Sequence, residues 1–338
     1  MKKNNNDFAE YLSAFFQKYL PGQRGLSVNT IKSYRDAFVI FFRYIEAKER
    51  IKPEKLDFQR IDHHMIERFT EWLEYEKGSS ISTRNQRLAA IHAFMKYVLA
   101  YHPENLEQCR KVISIRSKKT PVKPPVYLSV EELKHVFQQT DPSNKQGVRD
   151  LTLLTLLYDS GCRVQELIDL TWINLRFDKP ATVTLTGKGG KSRIVPLMPD
   201  TAKIISAYVK SKTTSNRMEN VFLNQSSNKL TRSGIEYIIN KYVSIAGESM
   251  SSIREKRITP HVFGRHSKAM HLVQAGVNII YIRDLLGHSS VQVTERYARA
   301  DYKSKREALE RASENIVPEI SFSKNEQQEL MQFLRSII

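Results

Sequence analysis

Apolar residues recur at three- and four-residue steps through most of the chain. Along residues 28–48, Ile31, Tyr34, Phe38, Phe41, Phe42 and Ile45 fall at that spacing, which puts them on one face of a helix. Asp62 is placed to cap a further helix with Ile66, Phe69, Trp72 and Leu73 turned inward, and Gly78 stops it. Residues 82–100 repeat the pattern with Leu88, Ile91, Met95 and Val98. On the polar side of that helix, Arg84, Asn85 and Arg87 either reach a DNA backbone or form a solvated face. The rhythm stops at residues 116–125, which hold four basic residues and three prolines and read as a cationic, partly extended linker.

Beyond the linker, Ser129 and Glu132 stand at the spacing of a capping box. The pattern then runs helix, helix, β hairpin, and helices to the end. Residues 181–185 and 193–197 are rich in β-branched side chains and flank Gly189 and Gly190, as the two arms of a hairpin would. Residues 300–313 read as a charged helix. Residues 323–338 read as an amphipathic one, with Leu330, Met331, Phe333, Leu334, Ile337 and Ile338 on its apolar face. The expected fold is therefore mainly α with a small antiparallel sheet. Its organisation is a helical domain at 1–115, a basic proline-rich linker at 116–126 and a larger domain at 127–338.

Charge narrows the class of partner. The 338 residues carry 53 Lys+Arg against 36 Asp+Glu, a formal charge of +17, and such a field favours nucleic acid or an anionic surface. No run of eighteen apolar residues is present to span a bilayer. The N-terminal residues Met1, Lys2 and Lys3 lead into no apolar segment, so a signal peptide is not expected. Two widely separated cysteines, Cys109 and Cys162, suit a reducing cytosol and give no zinc-ligand spacing. His261, His266 and His271 are five apart, which on an α-helix sets them on different sides rather than on one metal-binding face. No metal is expected.

The stretch TGKGGKSRIVPL at 186–197 ends in Gly190, Lys191 and Ser192 like a Walker A loop. That loop needs a glycine five residues before Gly190, where Leu185 stands, and a helix directly after it. A strand follows instead, so nucleotide hydrolysis is not expected. The hairpin still presents Lys188, Lys191 and Arg193, and it suits the phosphates of a nucleic acid. Lys191 and Arg193 read as backbone contacts or solvated charges.

Four further stretches carry chemistry: Arg163 with Glu166 three residues on, His261 with Arg265, Gly287 with His288, and Tyr297 nine residues after His288. With Lys188, the order R…K…H…R…GH…Y resembles the tyrosine recombinases, or phage integrase family, along most of the chain. The resemblance implies a SAM-like helical core-binding domain, a linker and a catalytic domain. It implies that Tyr297 attacks a DNA phosphodiester to form a 3′-phosphotyrosine, so that neither cofactor nor metal is needed. Arg163 and Arg265 would hold the nonbridging oxygens. Lys188 would protonate the leaving 5′-oxygen, His261 would act as general base, His288 would bond the phosphate and Glu166 would orient the site. Arg84, Arg87, Lys118, Lys119, Lys191 and Arg193 would meet DNA.

The implied partners are double-stranded recombination sites and three further copies of the chain in a synaptic homotetramer, in the cytoplasm and on the nucleoid. The implied role is integration or excision of a mobile element, with a C-terminal helix exchanged between neighbours. No further DNA-binding domain is evident before Phe8, which suggests a simple core-site system. A DNA-binding protein with impaired catalysis and a type IB topoisomerase are the alternatives. One departure stands out. The family places two residues between this histidine and arginine, and here Val262, Phe263 and Gly264 make three. An added residue turns a helix by about 100°. Gly264 is expected to absorb it through the dihedral freedom of glycine, leaving the register from Arg265 to Tyr297 intact and His261 as the displaced member.

Overall fold

The computed structural model describes residues 7–121, 123–212 and 216–301, with Arg306 and Gln332, and of Lys188 the backbone. Packing divides the chain into two compact units, Met1–Val122 and Lys123–Ile338, and the division falls inside the stretch read as linker. The helices expected at 300–313 and 323–338 lie, apart from isolated positions, outside the described residues.

The first unit is helical. Helix α1 (Asp7–Ala14) passes directly into a π-helical segment, Phe15–Gln23, and is followed by α2 (Val28–Tyr44), α3 (His63–Tyr75), α4 (Ile81–Tyr101) and α5 (Leu106–Ile113). Side-chain caps set three of the starts: Ser27 accepts from Thr30 N, Asp62 from Met65 N at 2.7 Å, and Ser80 from Thr83 N at 3.2 Å. Phe8, Phe15, Phe41, Phe69 and Phe94 fill the core.

Two cations expected to face DNA are used internally. Arg84 is buried. It lies on the side of α4 that faces α3, where its guanidinium donates to Thr70 Oγ1 and Asn85 Oδ1, each at 3.0 Å. Arg87 has its Nε buried without a partner among the described residues, and burial lowers its pKa. Lys118 pairs with Glu74 at 2.7 Å, and its backbone is held on both sides by the Asn85 amide. Lys119 is exposed.

The second unit opens with α6 (Val130–Gln138), and both bonds of the Ser129–Glu132 capping box form. Helix α7 (Lys145–Ser160) ends at Gly161, whose φ of 56° is left-handed. It is followed by the short α8 (Val164–Ile168). Strands β1 (Leu175–Arg176), β2 (Thr182–Thr186) and β3 (Ser192–Pro196) make an antiparallel sheet in the order β1-β2-β3. Leu185 pairs with Arg193 and Thr186 with Ser192 at the tip end. The two-residue β1 was not part of the sequence expectation. Helices α9 (Pro199–Lys210), α10 (Arg232–Ser249) and α11 (Ser251–Arg254) lead to a π-turn, His261–His266. Helices α12 (Ser267–Gln274), α13 (Ile279–Leu286) and α14 (Val291–Ala300) follow.

The core of this unit centres on Leu153, Leu154, Leu156 and Leu157 of α7, packed by Leu185, Ile239 and Phe263. Both cysteines are buried and free. Among the described residues no helix is long and apolar enough to cross a membrane.

One buried ion pair fixes α12 against α7. Lys268 Nζ lies 2.9 Å from Asp159, whose other oxygen accepts from Met198 N at the entry to α9. Truncating one member of a buried pair leaves a bare charge and costs about 3–5 kcal/mol. Lys268→Ala should therefore lower the denaturant stability of the second unit by that order. A loss below about 1 kcal/mol would show the pair to be dispensable.

Candidate active site

Glu166 organises the site. It sits at the third position of α8, is buried, and accepts four hydrogen bonds. Two come from Arg163, from its backbone N at 2.8 Å and its Nη1 at 2.8 Å; two come from Arg193, at 3.0 and 2.7 Å. Burial alone would raise the carboxyl pKa, but the Arg193 and Arg163 bonds outweigh it and hold the group at about 2. Both arginines then reach on to the end of α13: Arg193 Nε donates to Leu285 O at 2.8 Å and Arg163 Nη2 to Gly287 O at 3.2 Å. Gly287 has a φ of 62°, and a Cβ there would stand 3.0 Å from the Arg193 guanidinium. Glycine is needed for the close approach as well as for the turn.

Arg193 was expected to touch DNA. The structure uses it inside the protein: near the tip end of β3, opposite Leu185, it turns to Glu166 rather than outward. Lys191 is exposed at the tip. Lys188 starts the tip turn, Lys188–Gly190, and its side chain lies outside the described residues.

Arg265 is buried, with 1% of its surface exposed. Its Nη1 donates to Gly161 O at 3.1 Å, while Nη2 is buried with no partner among the described residues. Desolvation first, then the neighbouring Arg163, lower its pKa to about 10. A buried guanidinium N–H without an acceptor is costly, and it supplies a donor for an anion that enters the site.

His288 follows Gly287. Its Nδ1 shares a hydrogen bond with the buried Thr294 Oγ1 at 2.8 Å. Desolvation and then Arg265, Arg163 and Arg296 push its pKa down to about 3. His261 is exposed, and desolvation followed by Arg265 and Arg163 lowers its pKa as well. The imidazoles therefore stand neutral at pH 7, able to accept a proton or a hydrogen bond.

Tyr297 is 2% exposed, in an apolar cluster with Ala269, Met270, Ile282 and Leu286. Burial raises its pKa, while Arg296 and Arg265 work in the opposite direction. The Arg296 guanidinium lies over the phenol ring, 5.5 Å from its centre. Arg265 is thus the centre of the group, within electrostatic reach of Arg163, His288, His261 and Tyr297.

Sequence reasoning missed three contributors. Arg296 was passed over as the neighbour of Tyr297, and Thr294 gave no sign beyond its place on the same helix. His266 was considered only as a metal ligand. Its ring packs edge-on between His261, at 5.4 Å, and Tyr297, at 5.8 Å, and desolvation lowers its pKa to about 4.

The close approach of His261 and His266 corrects the expectation that residues five apart lie on different sides. The helix here is π, with i→i+5 bonds that widen the turn and bring such residues together. The same turn takes up the additional residue before Arg265. Gly264 is not in a left-handed conformation, so dihedral freedom is not its role. A Cβ on Gly264 would stand 2.6 Å from Leu157 O and 2.8 Å from Leu157 Cγ. The glycine lets the π-turn lie against the backbone of α7.

Residues 127–304 match the model of the phage integrase family, and residues 14–102 match that of the phage integrase N-terminal SAM-like domain. Tyrosine recombinase XerC of Syntrophus aciditrophicus is 31% identical over 292 residues, covering 83% of this chain and 90% of its own. Tyrosine recombinase XerD of Listeria monocytogenes is 30% identical over 288 residues, covering 83% and 91%. Among solved structures, XerH site-specific recombinase bound to its palindromic difH substrate aligns with a TM-score of 0.66 at 21% identity, covering 90% of this chain and 88% of that one. The Tn1549 transposon integrase in complex with transposon right-end DNA aligns at 0.67 and 18% identity, covering 89% and 98%. The chain belongs to the phage integrase family of tyrosine recombinases.

Two outcomes follow from this geometry. Glu166→Gln should destabilise the second unit by about 3–5 kcal/mol at neutral pH, because two guanidiniums lose their shared anion. The carboxyl pKa in the folded chain lies below its ordinary value of 4.5, so the unfolded chain binds more protons between the two. The stabilisation is complete above about pH 4.5 and fades as pH falls towards 2. Urea melts across that window should therefore slope less steeply for the variant, and parallel curves would contradict the assignment. Gly264→Ala should slow any chemistry at Arg265 by at least about tenfold, since a misplacement near 1 Å costs on the order of a hundredfold. A single-turnover rate equal to that of the parent chain would show that α7 yields freely.

Proposed function

We propose that this recombinase cuts and rejoins DNA at specific sites through a covalent bond between Tyr297 and a 3′-phosphate. The observation that carries the reading is the buried Nη2 of Arg265, without a partner among the described residues and within electrostatic reach of Arg163 and of the buried Tyr297 phenol. Two permanently charged guanidiniums suit the negative charge that gathers on the nonbridging oxygens as phosphorus becomes five-coordinate.

In the proposed step Tyr297 Oη bonds to phosphorus as the bond to the 5′-oxygen breaks. The phenol proton passes to a neutral imidazole, for which His261 is the candidate base, and the departing 5′-oxygen takes a proton from Lys188. His288, steadied by Thr294, bonds the phosphate through Nε2. A 5′-hydroxyl from another strand then attacks the phosphotyrosine and reverses each transfer. The ester keeps the energy of the original bond, so the cycle needs no nucleotide.

The XerH and Tn1549 integrase structures hold DNA substrates, and the same class of partner is proposed here, with four protomers in the synaptic complex. Residues 1–115 would act as the core-binding domain. The exposed Lys119 of the linker, and Lys191 on the hairpin tip, remain suited to phosphate contacts. Arg84 and Lys118 are less so, because both are engaged within the first unit. Integration or excision of a mobile element is the proposed setting.

The test is a pool of nicked duplexes with randomised sequence, incubated with the protein in EDTA and resolved under denaturing conditions. A covalent protein–DNA species is expected from the parent chain and none from Tyr297→Phe, which keeps the ring in its apolar cluster. An adduct from the variant, or none from either protein, would overturn the reading. Joined strands from two different duplexes separate recombination from supercoil relaxation.

A further inference from the structure

The π-turn that holds His261 and Arg265 is itself held by one hydroxyl. Ser267 is fully buried at the first position of α12. Its backbone N–H is shared between the carbonyls of Gly264 and, five residues back, Val262, and its Oγ donates to the Val262 oxygen at 2.7 Å. In an α-helix a serine hydroxyl that bonds backward reaches the carbonyl four residues before it. Here it reaches the fifth, an acceptor brought into range only by the widened turn.

The hydroxyl has a second bond. Ser267 Oγ accepts from the N–H of the buried Leu128 at 2.9 Å, in the segment that leads into α6. With one proton given and one accepted, it satisfies a carbonyl of the π-turn and an amide of the incoming chain. Helix α12 then carries Lys268 into its buried pair with Asp159. The turn is thus pinned at its C-terminal end by Ser267 and along its flank by Gly264 against Leu157.

We propose that Ser267 is a positioning residue for DNA cleavage: by bridging Leu128 N and Val262 O, its hydroxyl keeps the three residues between His261 and Arg265 folded as a π-turn and so fixes Arg265 in the site. The proposal rests on the function proposed above. Without the hydroxyl, the Leu128 amide loses its acceptor and the Val262 carbonyl loses its side-chain donor. The surplus residue is then free to shift along the helix. Each one-residue shift turns the intervening side chains by about 100°, enough to take Arg265 off its carbonyl partner, Gly161 O. Among the described residues the Ser267 hydroxyl bonds Leu128 N and Val262 O and no group assigned to the reaction. Its effect is therefore expected on the rate of cleavage and not on DNA capture, which draws on the cationic surface.

The experiment compares the full chain with Ser267→Ala on the nicked substrates that give a covalent adduct. Dissociation constant and single-turnover cleavage rate are measured at a temperature where both proteins are folded by circular dichroism. DNA affinity is expected to stay within about threefold while cleavage slows by about tenfold or more, as for a displaced catalytic group. Cleavage at the parent rate, or affinity and rate falling together, would overturn the positioning role. Should Ser267→Ala fail to fold, Ser267→Cys replaces it, keeping the volume with a weaker donor. Unchanged cleavage by that variant also overturns the proposal, and slow cleavage with intact binding supports it. Absence of an adduct from the parent chain would instead count against the function itself, so the two failures are distinct.

Discussion

The second unit depends on one buried carboxylate. Three arginines crowd the pocket, and their mutual repulsion at low dielectric would drive them apart or deprotonate one of them. Glu166 offsets this by taking two of them at once. Because Arg163 and Arg193 continue to the carbonyls of Gly287 and Leu285, the same carboxylate joins α8, the hairpin and the end of α13. His288 begins where α13 ends, so its position follows from that junction. Arg265 is left outside the pairing. Among the described residues no carboxylate pairs with it, and desolvation, then Arg163, lowers its pKa to about 10, which marks the cost of burying this charge. An arriving phosphate would relieve it.

Burial of Tyr297 works with this arrangement. A phenol in an apolar cluster resists ionisation, while Arg265 and Arg296 favour the phenolate. The phenol therefore stays protonated at neutral pH. The neutral histidines complete the balance. Desolvation, and then the neighbouring arginines, hold the pKa of His288 and His261 down, so both are neutral acceptors at pH 7. The π-turn adds a mechanical element. It fits an additional residue into the helix that carries His261 and Arg265, and the tight contact between Gly264 and α7 fixes where that helix lies.

Much of this was legible in the sequence, for identifiable reasons. Capping residues have short-range geometry, so Asp62, Ser129 and Glu132 act as their spacing suggests. The β-branched arms around Gly189 and Gly190 gave the hairpin, though β1, at two residues, is too short to leave a periodic signal. The order from Arg163 to Tyr297 was read through its resemblance to the tyrosine recombinases, and the helix boundaries near it carry Gly161, Pro260 and Gly287. What stayed hidden depends on which way a side chain turns. Arg84 and Arg193 looked like surface cations, and both are drawn inward by acceptors on other elements, Thr70 and Glu166 among them, 14 and 27 positions away in the sequence. Gly264 was noticed for the right reason, an extra residue, but was given a dihedral role. Its packing against Leu157 requires a neighbour 107 positions away (264 − 157).

The account comes down to a single phosphorus–oxygen bond, and mass spectrometry of the trapped adduct after trypsin tests it most directly. Cleavage after Arg296 and Arg299 releases the nucleophile in a peptide of Tyr297, Ala298 and Arg299. The expected result is a nucleotide remnant on that peptide, joined through phosphate to the phenol. A remnant on any other residue would contradict the account.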